Sequence, residues 1–257
     1  MKIAIVRGKL FIIILDFKGG QELLDCLESV RRAKTPAGWE KQVLVIDNNR
    51  RNLGFARGCN LGIEKALKQK ATAVLLLNQD TIADKEFLGP LLKNPGDIVA
   101  PVIKFKRQGK WVDDFGGRVN WWIGRTRHLE VSHHPRCFNP GHSRCVTPKW
   151  GNPDYVSGCC MLIKKSVFEK IGLLDERYFL YFEDVDFCLR AKKADFKIAV
   201  EPKSFIIHKL RKTKEKSLKQ KWHLLKSNLI FINRYVPFWR RPIAYFYWFL
   251  ISIKILL

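Results

Sequence analysis

Ala73-Val-Leu-Leu-Leu-Asn78-Gln79-Asp80 is a continuous apolar run that stops on two amides and a carboxylate. An uninterrupted apolar stretch reads as a strand covered on both faces, the habit of parallel sheets; a strand with one wet face would alternate. Two upstream runs repeat the pattern. Leu10-Phe-Ile-Ile-Ile-Leu15 leads into Asp16, and Gln42-Val-Leu-Val-Ile46 leads into Asp47-Asn48-Asn49. Between them, Gln21 to Arg32 places Leu23, Leu24, Leu27 and Val30 on one helical face, and a second helix is predicted from about Ala56 to Lys70. Strands alternating with helices predict an α/β fold with a mostly parallel, Rossmann-like central sheet flanked by helices. The ligand crevice of such a sheet lies at the carboxyl ends of its strands, where Asp16, Asp47 and Asp80 sit.

Farther along the chain the pattern loosens and then returns. Val102 to Pro153 holds Trp111, Trp121, Trp122 and Trp150 among many Gly and Pro residues, and reads as strands and loops on the acceptor side. Val156 to Ile163 is a predicted strand, Lys165 to Ile171 a short helix, and Lys197 to Val200 and Ser204 to Ile207 two short strands, the second ending at His208. Before them comes Tyr178-Phe-Leu-Tyr-Phe-Glu183-Asp184-Val-Asp186-Phe-Cys-Leu-Arg190, predicted to open a helix running to about Ala194. Three carboxylates in an aromatic frame repel one another and resist leaving water, so the cluster needs a compensating role. General-base chemistry, metal binding or an ion pair with Arg190 would each supply one. Acids offsetting the helix macrodipole are the bland alternative.

The chain has 257 residues and a formal net charge of +23, which implies a polyanionic partner or surface. Seven cysteines without framework spacing fit a reducing compartment. No signal peptide is read in Met1 to Phe11. Basic residues crowd between Lys203 and Lys226. Ile243 to Leu257 is apolar and aromatic, shorter than the ~20 residues that span a bilayer, and follows Phe238-Trp-Arg-Arg241. This combination predicts a basic amphipathic helical tail, residues 211–257, lying on an anionic membrane surface behind a domain of residues 1–210. Nucleic-acid binding is disfavoured, because no aromatic residues are interleaved for base stacking. His133, His134, Cys137, His142 and Cys145 share a loop with zinc-like spacing but without a paired CxxC.

Taken together, the segments resemble the family 2 glycosyltransferases of GT-A fold, in particular bacterial rhamnosyltransferase-like members. The resemblance covers about residues 10 to 210. It rests on the strand with Asp16 to Gly20, Val45-Ile-Asp47-Asn48, Asn52-Leu-Gly54-Phe55-Ala-Arg-Gly58-Cys-Asn60-Leu-Gly62, Leu75 to Thr81, Val156 to Ile163, and Gly172-Leu-Leu-Asp175-Glu176 through Arg190. It implies a nucleotide-sugar donor site that takes in Asp16, Asp47, Asn48, Asn52, Gly54, Phe55, Gly58, Asn60, Asn78, Gln79 and Asp80. Asp47 would read the base, and Asp80 with His208 would hold Mn²⁺ or Mg²⁺ against the diphosphate. Asp184 would be the general base of an inverting transfer, with Glu183 raising its pKa by like-charge repulsion; Gly158, Asp186 and Arg190 would support the acceptor side. The implied function is transfer of a sugar, rhamnose among the candidates, to a lipid-linked or polysaccharide acceptor for the cell envelope, at the cytoplasmic face of a membrane.

The chain departs from the family pattern in three places. Asn78 stands where an acid opens the metal triplet, Asp16-Phe17-Lys18 replaces Asn-Tyr-Asn, and only Asn49-Arg50-Arg51 joins the Asp-Asn pair to Asn52. Those arginines could pair with phosphate. A catalytically inactive protein of this fold that binds membrane surfaces is the alternative reading.

Overall fold

The computed structural model describes residues 8–133, 152–209 and 217–256. Strands β1 (Gly8–Asp16), β2 (Trp39–Asp47) and β3 (Ala73–Asn78) pair in parallel with β1 central, in the registers Asp16↔Asp47 and Leu15↔Asn78. The polar ends of all three therefore finish abreast. Alternate residues feed opposite layers. Leu10, Ile12 and Ile14 pack with Leu75, Leu77, Cys26 and Val30, the last two on helix α1 (Gly20–Arg32). Phe11 and Ile13 pack with Val74, Leu76 and Ile63, the last on helix α2 (Phe55–Lys68). β2 is the outer strand of this half, and its Val43 and Val45 are exposed.

The second half is built on antiparallel pairing. β4 (Thr81–Ala83) and helix α3 (Leu88–Lys93) precede β5 (Ile98–Arg107), β6 (Lys110–Asn120) and β7 (Arg125–His133). Then β8 (Cys160–Lys164) inserts between β3 and β5, antiparallel to both, to give the order β2-β1-β3-β8-β5-β6-β7. Helices α4 (Lys165–Ile171) and α5 (Glu183–Lys193) lead to β9 (Ile198–His208), which pairs with β5 and with β4.

The expectation of an α/β fold with a central sheet between helices holds, and several element boundaries change. The segment from residue 102, read as irregular, forms long meandering strands, because its glycines sit at turns and at a register shift between Asp114 and Gly117. The strand predicted from Val156 starts only at Cys160; residues 156–159 instead turn toward α5. The two late strands are one, with an irregularity opposite Pro101/Val102.

Helix α6 (Leu218–Tyr235) starts from a Ser217–Gln220 capping box and packs into the domain. Its Phe231 is fully buried in the same layer as Phe11 and Ile13, 5.1 Å from the ring of Phe182. Asn228 donates to the Gly124 carbonyl in the β6–β7 turn (2.6 Å). One face of α6 is thus packed into the domain. Helix α7 (Arg241–Leu256) returns along α6, with Trp248 donating to the Leu225 carbonyl (3.0 Å). It is apolar around its circumference rather than amphipathic: Ala244 is buried, while Ile243, Phe246, Phe249, Leu250 and Ile253 are exposed. Among the described residues no helix is long and apolar enough to cross a membrane.

One buried carboxylate ties these helices together. Asp186 on α5 is completely buried and accepts from Arg190 (2.8 Å), Arg234 (3.0 Å) and the Tyr235 hydroxyl (2.8 Å). Arg190 also donates to the carbonyls of Ile171 (2.7 Å) and Leu173 (2.8 Å). The ion pair with Arg190 weighed from the sequence is therefore present, and it is buried rather than at the helix surface. Removing one partner of a buried charge cluster leaves the others uncompensated. Asp186→Ala should lower the unfolding free energy by about 3 kcal/mol or more, read as a fall in the urea midpoint. A loss under about 1 kcal/mol, the value of an exposed pair, would contradict the clamp.

Candidate active site

The loop after β2 is short because it closes on itself. Asn48 receives the Leu53 N–H on its side-chain oxygen (2.8 Å), and the Asn52 oxygen accepts from Gly54 N–H (3.0 Å) and from the Asn48 amide (3.3 Å). Asn49 bridges to the first strand, donating to Asp16 (2.7 Å) and accepting from Lys18 N–H (2.6 Å). Gly54 has φ +84°, and a Cβ there would meet the Phe179 carbonyl at 2.5 Å, the same oxygen that accepts from Phe55 N–H at 2.7 Å. Only glycine satisfies both conditions.

This loop, the end of β3 and the start of α6 enclose a cavity of about 510 Å³. Of the expected donor residues, Asn48, Asn52, Gly54, Phe55, Asn78, Gln79 and Asp80 line it. Asp16, Asp47, Gly58 and Asn60 do not. Asp16 and Asp47 accept from Gly19 and Asn49 N–H groups at its edge. Gly58 sits against Leu15, where a Cβ would come within 2.4 Å, so it permits close helix–strand packing. Asn60 is buried, donating to the Leu174 carbonyl (2.9 Å) and accepting from Leu174 N–H (3.1 Å). Gln79 brackets the Phe17 backbone with both ends of its amide, each at 2.8 Å. A second hollow, of about 390 Å³ beside Trp39, Thr72 and Lys164, opens at the opposite, amino end of the parallel strands.

Strand pairing delivers His208. The register Thr81↔His208 between β4 and β9 sets its Nε2 3.1 Å from Asp80 Oδ1. Burial disfavours the imidazolium, but Cys159 and Asp80 outweigh it, and the His208 pKa rises. Once His208 gives up its proton, one carboxylate oxygen and one imidazole nitrogen beside an open cavity could hold a divalent ion, with the rest of its shell left to phosphates.

Asp184 and Glu183 lie behind Phe55, outside the cavity lining. Gly158 N–H donates to Asp184 Oδ2 (2.9 Å), Val185 N–H donates to Oδ1 (2.8 Å), and Gly158 abuts both Asp184 and the Phe55 ring. Glu183 is buried, and its Oε2 has no hydrogen-bond partner among the described residues. Burial raises the pKa of both groups; the Asp184 charge raises Glu183 further, whereas two backbone N–H groups and His128 stabilise ionised Asp184. The rise expected at Asp184 is thus present, with desolvation as its first cause.

Sequence reading missed Asp114 and His128, which carry no motif. Pairing of β6 with β7 sets His128 Nδ1 2.8 Å from Asp114, and the ring meets Tyr155 edge-on at 5.7 Å. Burial opposes the charged imidazole, but Asp114 and then Asp184 prevail and raise its pKa. Asp114, His128 and Glu130 bring ligand atoms within 4.8 Å of one another. Arg107 holds Glu130 through two bonds (2.7 and 3.0 Å), so the group reads as an ion-pair network. His134, Cys137, His142 and Cys145 lie outside the described residues, as do Arg211, Lys212, Lys214 and Lys216.

Comparison with known proteins bears on the family and the fold. The chain is 32% identical over 155 residues to the low-salt glycan biosynthesis hexosyltransferase Agl10 of Haloferax volcanii, covering 57% of this chain and 46% of that protein. It is 35% identical over 169 residues to the N-acetylglucosaminyl-diphospho-decaprenol L-rhamnosyltransferase of Mycobacterium tuberculosis, covering 62% and 49%. The chain thus spans about half the length of the curated relatives it matches. In fold it is similar to the crystal structure of GalNAc-T7 with UDP, GalNAc and Mn²⁺, with a TM-score of 0.63 at 15% identity over 88% of this chain and 48% of that one. Residues 27–223 match the glycosyltransferase-like family 2, and the chain belongs to that family.

Proposed function

We propose that this chain is the catalytic unit of an inverting, metal-dependent glycosyltransferase. It would move a sugar from a nucleotide-diphosphate donor to a lipid-linked or polysaccharide acceptor of the cell envelope. The single observation that carries the reading is the meeting, at one end of the sheet, of the Asp80–His208 pair, the cavity beside it and the half-buried Asp184 behind Phe55. Rhamnose is the favoured sugar, because a relative at 35% identity is a rhamnosyltransferase by name.

In the proposed reaction, the acceptor hydroxyl oxygen attacks the anomeric carbon while its proton passes to Asp184. The bond from that carbon to the diphosphate oxygen breaks, and the configuration inverts. Asp80 and His208 would hold Mn²⁺ or Mg²⁺, which would offset the charge that builds on the leaving diphosphate. Gly158 and Val185 N–H groups would favour the ionised form of Asp184 against desolvation and would hold it in place. Neutral Glu183 would spare the site a second negative charge beside the leaving group.

The exposed face of α7, with Phe238, Trp239, Arg240 and Arg241 at its start, supports peripheral seating on an anionic membrane surface.

Three measurements test this reading. Thermal shift with UDP, dTDP and GDP sugars should reveal one donor that stabilises the protein by about 3 kcal/mol at one hundred times Kd. That shift should need Mn²⁺ or Mg²⁺ and vanish in Asp80→Ala; a protein that no nucleotide sugar stabilises would count against the enzyme. Transfer should be lost in Asp184→Asn. In the native chain it should fall as pH drops through a pKa above the ordinary carboxylate value of about 4, because the base must be ionised. Glu183→Gln, which removes no charge, should move that acid limb by less than about half a pH unit; a full-unit fall would mean that Glu183 is charged. Finally, Phe246→Glu should release the chain from phosphatidylserine vesicles in sedimentation, and equal binding by both forms would exclude α7 as the anchor.

A further inference from the structure

The cavity has a wall that the expected donor residues do not supply. Ser217, Lys219, Gln220 and His223, all at the start of α6, face Asn48, Asn52 and Asp80 across it. The placement is built in. Ser227 donates to the Leu180 carbonyl (2.9 Å), and the His223 ring stacks on Phe179 with centroids 4.2 Å apart and planes 16° from parallel. Phe179 is the residue whose carbonyl receives Phe55 N–H, so α6 and the amino end of α2 grip the same backbone unit. The Ser217–Gln220 capping box fixes where the helix begins, and hence where Lys219 stands.

The wall also has the charge a diphosphate needs. The lining side chains include Lys18 and Lys219 against the single carboxylate of Asp80, and that carboxylate is already beside His208. His223 adds a second feature: its Nε2 is buried with no hydrogen-bond partner among the described residues. Burial, with Lys219 and Lys226 nearby, lowers its pKa, so the ring is neutral and carries one N–H. An unpaired buried ring nitrogen is costly until an acceptor reaches it.

Building on the donor-site reading above, we propose that Lys219 and His223 of α6 bind the diphosphate of the nucleoside-diphosphate donor. The helix would then be part of the active site as well as the support for α7. Lys219 would supply a cation on the side of the diphosphate away from Asp80 and His208. His223, held flat by Phe179, would donate to a phosphate oxygen.

Titration calorimetry with UDP, dTDP and GDP, each beside its monophosphate and with Mn²⁺ present, tests this on the full chain. Lys219 is exposed, so Lys219→Ala is not expected to disturb folding, and His223→Gln keeps a polar side chain. Each should weaken binding of the preferred diphosphate about tenfold, the worth of one charge-assisted bond, and should narrow the gap between diphosphate and monophosphate. Lys93→Ala, which removes an exposed charge from α3 outside the cavity, should leave both affinities unchanged. Native-like diphosphate affinity in both α6 variants would overturn the assignment while leaving the donor site standing. A native chain that binds none of the nucleotides would overturn the donor site and this assignment with it.

Discussion

Asp186 is a carboxylate with no access to water, held by two guanidinium groups and a phenol. Arg190 carries the charge to the carbonyls after α4, while Arg234 and Tyr235 bring in the end of α6. A buried pair of this kind is weak evidence for net stability, since apolar replacements can do as well. Its physical content here is geometric: three fixed donors leave α5 one orientation. That orientation presents Asp184 to Gly158 and sets Phe179 between α2 and α6.

The site divides its charge by burial. Glu183 and Asp184 are neighbours in the chain with opposite surroundings, one with an orphaned oxygen and the other with two peptide N–H groups. Desolvation costs the first more, and the backbone dipoles repay the second. Toward solvent, Asp80 and His208 offer one carboxylate and one imidazole instead of the two acids common in the family. The short link after Asn49 is braced by side chains: Asn48 and Asn52 accept from the Leu53 and Gly54 N–H groups, and Asn49 ties it to Asp16.

Much of the parallel half was legible, because a strand covered on both faces must be apolar throughout and must end where water and ligand begin. Leu10 to Leu15, Val43 to Ile46 and Ala73 to Leu77 obey that rule, and their polar ends mark the crevice. The antiparallel half was harder to read. In β6, Asp113, Asp114, Gly116 and Gly117 look like a loop by composition, yet all four are buried in a strand whose register shifts there. Gly58 and Asn60 lie within the Asn52–Gly62 segment and were read with it as donor contacts. Their work is packing against Leu15 and holding Leu174, which a linear pattern cannot tell from ligand contact. The basic run was read as the start of a tail because charge dominates its composition; the apolar face of α6, with Leu225, Phe231 and Ile232 buried, was not read from it.

By itself the sequence determined the layered α/β core, the strand-end carboxylates and the helix that starts at Glu183, since these follow from hydrophobic period and the cost of desolvating acids. Tertiary structure alone decided which groups meet: His208 with Asp80 through strand register, His128 with Asp114 across a hairpin, and Lys219 with the cavity through the packing of α6. Local pattern encodes which face of an element is buried. Distances between residues scores of positions apart depend on how those faces close on one another.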